Sequence, residues 1–150
     1  MEHVSQILER FRGQPEMVLE ALRELQAASE TNSLGEPELI EVAEALRMPL
    51  SKVYGVATFY SMFSVRPRGR HIIRVCESAP CHLRGTESVV AWLEDELAVK
   101  MGETTADGRF TLEFTSCLGV CGVAPAVMID AEVHGNLTRE RIVEALKRYE

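Results

Sequence analysis

The 150-residue chain is 46% hydrophobic and carries a formal charge of −7, enough apolar content to bury a core without disulfide staples, since a domain of this size hides roughly 70% of its unfolded surface. The acidic balance leaves no basic excess to neutralise phosphates, which argues against nucleic acid or an anionic membrane as partner. No stretch approaches the roughly 20 apolar residues of a bilayer-spanning helix, and Met1 to Gln6 lacks the basic start and apolar middle of a secretory signal; the expected address is cytoplasmic, at most the cytoplasmic face of a membrane complex, without direct membrane insertion.

From the start to about Phe63 the apolar residues recur at helical spacing. Val4, Ile7, Leu8 and Phe11 form one stripe; Val18, Leu22 and Leu25 form a second, with Pro15 placed to open its helix. A third stripe, Leu39, Ala43 and Leu46, stands behind Pro37, and a fourth, Val53, Val56, Tyr60 and Phe63, behind Pro49. Residues 1–65 therefore read as an N-terminal four-helix bundle whose stripes are core packing. Gly55, inside the fourth pattern, costs about 1 kcal/mol relative to alanine and marks either a close helix contact or no special role.

At Arg66-Pro67-Arg68-Gly69 a turn breaks the helical pattern, and Ile72 to Val75 reads as a buried strand. A helix follows, with Thr86 as its expected N-cap, Val90, Leu93 and Leu97 on one face, and Gly102 just beyond its end. Phe110, Leu112 and Phe114 alternate with polar residues as in a half-buried strand, and Ala126 to Ile129 reads as another strand ending near Asp130. A last helix, capped by Thr138, carries Ile142, Val143 and Leu146. Residues 66–150 thus form a small sheet with helices packed on it, making the chain α/β (α+β) in class.

All four cysteines lie in this second half, as Cys76-x4-Cys81 and Cys117-x3-Cys121, each pair following a predicted strand. Loops at strand ends are where a rigid scaffold presents ligands. A 2Fe-2S cluster requires four thiolates, two per iron, and pairs at these spacings can each wrap one iron. Ala79, Pro80, Leu118, Val120, Val123, Ala124 and Pro125 are expected to shield the sulfides, and Gly119 and Gly122 to let backbone N–H groups approach the sulfurs.

The residues alone leave other readings open. A reducing compartment disfavours disulfides; structural zinc also takes four cysteines, though its commonest knuckle is C-x2-C; a thioredoxin-like dithiol needs C-x-x-C, which is absent; and the thiols could be inert. His82 adjoins Cys81, but His3, His71 and His134 supply no matching partner for a Rieske-type pair. His82 is therefore read as a neighbour of the ligands or as solvated.

Three segments together carry a resemblance: Val53-Tyr54-Gly55-Val56-Ala57-Thr58-Phe59-Tyr60-Ser61-Met62-Phe63; Val75-Cys76-x4-Cys81-His82-x-Arg84-Gly85; and Cys117-Leu118-Gly119-Val120-Cys121-Gly122-Val123-Ala124-Pro125. They resemble the thioredoxin-like 2Fe-2S subunit family of NADH dehydrogenases, found in NADH-quinone oxidoreductase (respiratory complex I), with relatives in NAD(P)-linked or electron-bifurcating hydrogenases and some formate dehydrogenases. The resemblance implies that Cys76, Cys81, Cys117 and Cys121 bind a 2Fe-2S cluster and that residues 66–150 form a thioredoxin-like 2Fe-2S ferredoxin domain behind the helical bundle. Two departures stand out: Glu77-Ser78-Ala79-Pro80 replaces the Thr-Gly-Thr-Ala often seen between the first ligands, and Ala131 stands where Asp-Gly is common in a hairpin turn.

The expected function is electron transfer within a complex; the alternative from another class is a structural zinc-binding assembly module. A self-sufficient NAD-dependent enzyme is disfavoured because neither G-x-G-x-x-G nor G-x-x-x-x-G-K occurs. The resemblance places FMN and NAD(P)H on a flavoprotein partner, with further iron-sulfur subunits beyond it, and makes this chain a redox subunit that is not catalytic alone.

Overall fold

The computed structural model describes residues 2–149, with side chains from Val4 onward. Among the described residues the fold is mixed α/β, with seven α-helices and one four-stranded sheet. It divides into two compact units, Met1–Arg68 and Gly69–Glu150.

The first unit contains α1 (Glu2–Glu9), α2 (Val18–Ala28), α3 (Glu36–Leu46) and α4 (Leu50–Phe59). Their apolar stripes meet in one core that includes Leu8, Leu22, Leu25, Leu39, Leu46 and Val53. Pro15 opens a 3-10 turn, Pro15–Met17, ahead of α2 instead of the helix itself. The fourth stripe is shorter than its spacing predicts: α4 stops at Phe59, and Tyr60 turns extended with φ −86° and ψ 122°. In the last turn before the stop the Thr58 hydroxyl bonds back to the carbonyls of Tyr54 (2.8 Å) and Gly55 (3.3 Å), a local bond that slightly weakens a helix. Phe63 nevertheless returns to the core at 7% exposure. A Cβ at Gly55 would meet open space, so Gly55 marks no close helix contact. No helix among the described residues is long and apolar enough to cross a membrane.

The second unit is built on β1 (His71–Cys76), β2 (Phe110–Thr115), β3 (Val127–Ile129) and β4 (Glu132–His134), in the order β2-β1-β3-β4. β1 and β2 are parallel, with His71 opposite Phe110 and Cys76 opposite Thr115. β3 pairs antiparallel with β1, and β4 with β3. A parallel pair needs a long crossover, here supplied by α5 (Ala79–Leu83) and α6 (Thr86–Leu97). The last helix, α7 (Arg139–Leu146), begins at Thr138, whose hydroxyl accepts from the Arg141 N–H as the sequence predicts. Ile73, Val75, Leu93, Phe110, Leu112, Ile129 and Ile142 make the core of this unit.

Several local expectations are corrected here. Gly85, not Thr86, caps α6; its φ of 101° lies in the left-handed region where glycine carries no side-chain penalty. The C-terminal left-handed residue of α6 is Ala98, and Gly102 lies further on. Phe114 is 50% exposed, because β2 is an edge strand whose last residues run past the core that ends at Leu112. The short helix α5 and the three-residue strand β4 are too brief for periodicity to reveal.

Candidate metal centre

Parallel, in-register pairing makes β1 and β2 end at the same edge of the sheet. Both cysteine loops therefore leave from one end, the carboxyl ends of parallel strands, where open α/β sheets place ligands. β3 starts at that edge too, with Val127 opposite Val75.

In the first loop Cys76 is the last residue of β1 and 1% exposed. Pro80 sits in the first turn of α5, where its missing N–H is harmless. That turn carries Cys81 back toward β1, its N–H bonded to the Ser78 carbonyl at 2.9 Å. Cys81 is 2% exposed and its thiol acts directly on that of Cys76. Ala124 and Leu118 pack against the two thiols.

The second loop is exposed at both its cysteines. Gly119, at φ 76°, turns its N–H onto the Cys117 sulfur at 3.3 Å. Cys121 opens a 3-10 turn, Cys121–Val123, and its thiol acts directly on that of Cys117. Around Gly122 a Cβ would meet nothing.

Backbone groups tie the loops together. The Leu118 N–H faces the Cys76 sulfur and the Ala126 N–H that of Cys81, each favouring the thiolate. Burial pushes the Cys76 thiol up, but bonds from the Leu118 and Ser78 N–H groups, the Cys81 thiol and the Ser78 hydroxyl together hold it below the ordinary value. Burial also pushes Cys81 up, and there its contact with Cys76 and the nearby charges of Cys76 and Cys121 add to the rise. Cys121 is raised by its bond to Cys117 and by the charge there.

The thiols are thus arranged as two contacting pairs within electrostatic reach of each other. Among the described residues no group of three or more His, Cys, Asp or Glu side chains surrounds a single ion position. His82 stands outside the pairs, its side chain 58% exposed and 4.0 Å from Glu87. The apolar shield is thinner than expected: Ala79, Pro80 and Val123 are exposed, Leu118, Val120 and Pro125 half-buried, and only Ala124 is buried.

Three features of this region are missed by sequence reasoning. The Thr86 hydroxyl, expected at a helix cap, donates to the Cys76 carbonyl at 3.1 Å. The main-chain donors at Leu118 and Ala126 carry no side-chain signature. Behind the second loop, Gly135 lies so near Val123 that a Cβ there would approach its side chain to 2.5 Å and its carbonyl to 2.7 Å. The Asn136 N–H donates to the Val123 carbonyl at 2.6 Å, and that of Leu137 to Pro125 at 3.4 Å.

Comparison with known proteins adds independent findings. A family model described as thioredoxin-like [2Fe-2S] ferredoxin matches residues 4–150. An NADH-quinone oxidoreductase subunit from Escherichia coli strain K12 is 51% identical over 108 residues, covering 72% of this chain and 65% of the relative. A subunit of the NADP-reducing hydrogenase of Solidesulfovibrio fructosivorans is 37% identical over 108 residues, covering 72% and 63%. The crystal structure of an NAD+-reducing [NiFe]-hydrogenase in the air-oxidized state superposes with a TM-score of 0.78 at 26% identity, over 89% of this chain and 22% of that one. The chain therefore spans slightly less than two thirds of these curated relatives and about a fifth of the hydrogenase chain.

Proposed function

We propose, from the premise that this chain belongs to the thioredoxin-like [2Fe-2S] ferredoxin family, that it is an electron-transfer subunit of an NAD(P)H-linked oxidoreductase and that Cys76, Cys81, Cys117 and Cys121 are its cluster ligands. The family and its relatives imply one 2Fe-2S cluster as cofactor. When bound, such a cluster takes up and releases single electrons, at a potential tuned by hydrogen bonds to its sulfurs and by solvent exposure.

The donor set fits this group, and its pairing is the observation that carries the proposal. Four soft sulfur donors stand as two contacting pairs, which matches two thiolates per iron. Leu118, Ala126 and Gly119 present N–H groups to three of the four sulfurs. Each such bond favours the charged thiolate that metal binding requires. Burial of Cys76 and Cys81 keeps water from one side, while exposure of Cys117 and Cys121 leaves the other open to a redox partner.

The relatives are named as subunits of NADH-quinone oxidoreductase and of a hydrogenase. In the proposed complex the flavoprotein partner binds FMN and NAD(P)H, accepts hydride there and exchanges electrons with this chain, while further iron-sulfur subunits carry them onward. We assign residues 66–150 to the cluster domain and residues 1–65, as a four-helix bundle, to much of the docking surface. What supports the second assignment is the run of exposed apolar side chains on and just after α4: Tyr54, Phe59 and Met62, with Phe59 79% exposed.

Elemental analysis of protein purified without oxygen tests the proposal. About two iron and two acid-labile sulfide per chain are expected; one zinc and no iron would replace it with the zinc module. Purified alone, the chain should not oxidise NADH or NADPH, while dithionite should reduce its cluster; steady NADH oxidation by the isolated chain would contradict the subunit reading. Phe59→Glu should weaken binding of a flavoprotein partner and leave the cluster spectrum unchanged, and unchanged binding would remove the docking assignment.

A further inference from the structure

Thr86 opens α6, yet its hydroxyl serves neither that helix nor solvent. The residue is 4% exposed, and its Oγ1 donates to the main-chain carbonyl of Cys76 at 3.1 Å across ten residues of sequence. The cap position is filled by Gly85 in a left-handed conformation, which leaves the hydroxyl available. Cys76 is also where the sheet stops serving the chain on one side. The β1–β3 pairing ends with Val75 opposite Val127, so Cys76 lies one residue past it. A buried carbonyl is destabilising when no donor reaches it, and Thr86 meets that need at Cys76 itself.

We infer that Thr86 is a positioning residue for Cys76. Its hydroxyl fixes the peptide plane at the end of β1, and with it the direction in which the Cys76 sulfur points. It also offsets the negative end of that carbonyl beside the redox centre. The reduced centre carries one more negative charge than the oxidised one, so a donor at this carbonyl favours reduction, by the same logic as other hydrogen bonds around a cluster. Loss of the hydroxyl therefore lowers the midpoint potential. This inference rests on the ligand assignment proposed above.

The test compares Thr86→Val, close in shape but without the hydroxyl, with Thr86→Ser, which keeps the hydroxyl and loses the methyl. Both are made in the full chain and reconstituted with iron and sulfide. Thr86→Val should retain wild-type iron content, show a lower midpoint potential in a redox titration and change the visible circular dichroism of the cluster; Thr86→Ser should restore both signals. A purely structural role would instead lower the melting temperature of both variants without separating their potentials. A wild-type potential and dichroism in Thr86→Val, or failure of Thr86→Ser to restore them, overturns the inference. If Thr86→Val does not load, Thr86→Ala is read in the same way: loading by the serine variant alone supports positioning, and loss in the serine variant as well refutes it. Wild-type protein that holds no iron and sulfide is a different failure, that of the ligand assignment.

Discussion

The two cysteine loops leave the same edge of one sheet, yet they are built on opposite principles. The first is an extension of the core: Cys76 ends a central strand, Cys81 sits in a short helix, and both are almost fully buried. The second is a surface loop whose cysteines are exposed and whose shape depends on a left-handed glycine and on braces from behind. The four cysteines are thus half anchored and half presented. The anchored half is fixed by the same packing that holds the sheet together, while the presented half is open to solvent and partners.

Serine substitution probes this contrast most strongly. All four single changes to serine should abolish the cluster, because a hydroxyl replaces a soft thiolate. Only Cys76→Ser and Cys81→Ser should also destabilise the metal-free chain, by about 0.5–3 kcal/mol, because both sites are buried and a smaller, more polar group replaces sulfur there. The exposed pair should stay within about 0.5 kcal/mol of wild type, as surface changes do. Thermal melts of the four metal-free variants decide this, and equal losses at all four positions would erase the distinction.

Alkylation of the metal-free protein sharpens it, because exposure and acidity oppose each other. The Cys76 thiol is held below its ordinary value and that of Cys121 above it, so thiolate content alone favours Cys76. A buried thiol must wait for local opening, and an opening free energy of only about 1.4 kcal/mol already slows reaction tenfold. Mass spectrometry should therefore find Cys117 and Cys121 labelled at least tenfold faster, roughly, than Cys76 and Cys81. Labelling of Cys76 first would mean that the anchored loop is open in the metal-free state.

A third, smaller effect is confined to the presented loop. Gly135→Ala forces a Cβ into Val123, and such overpacking costs about 1–3 kcal/mol. Cys121 should then label faster while Cys81 keeps its rate; equal acceleration at both would show that the loops move as one.

The smallest effect lies in pH. The native Cys81 thiol is raised above 9.0, so its contribution to stability is complete below 9.0 and is lost as pH rises through the native value. That of Cys76 is lowered, so its contribution is present above 9.0 and is lost as pH falls through the native value. In denaturant unfolding of the metal-free chain, Cys81→Ala should make the alkaline loss of stability shallower, because it removes the raised thiol. An unchanged slope would mean that the native Cys81 thiol is not raised.

The position of both cysteine loops at strand ends was legible, because Ile72 to Val75 and the alternation from Phe110 are strong local patterns. The helical stripes were legible for the same reason, although the turn to extended backbone at Tyr60 leaves no mark in hydrophobic spacing. The burial difference between the loops was not legible. Apolar neighbours flank both pairs in sequence, and only the sheet order decides which of them face inward. Thr86 misled because a hydroxyl at a helix start is ordinarily a cap; Gly85 took that place through backbone conformation alone. The nearness of Gly135 to Val123 joins residues twelve positions apart through a hairpin whose second strand is only three residues long.

That hairpin also determines what the second cysteine loop is as a building block. Cys117 to Cys121 looks like a short peptide that could be cut out and placed elsewhere. Its far end, however, is held from outside: Val123 rests against Gly135 and is bonded by Asn136, and Pro125 is bonded by Leu137. The smallest transplantable piece therefore runs from the end of β2 through β3 and β4 to Leu137, and at position 135 such a graft would accept only the residue that has no side chain.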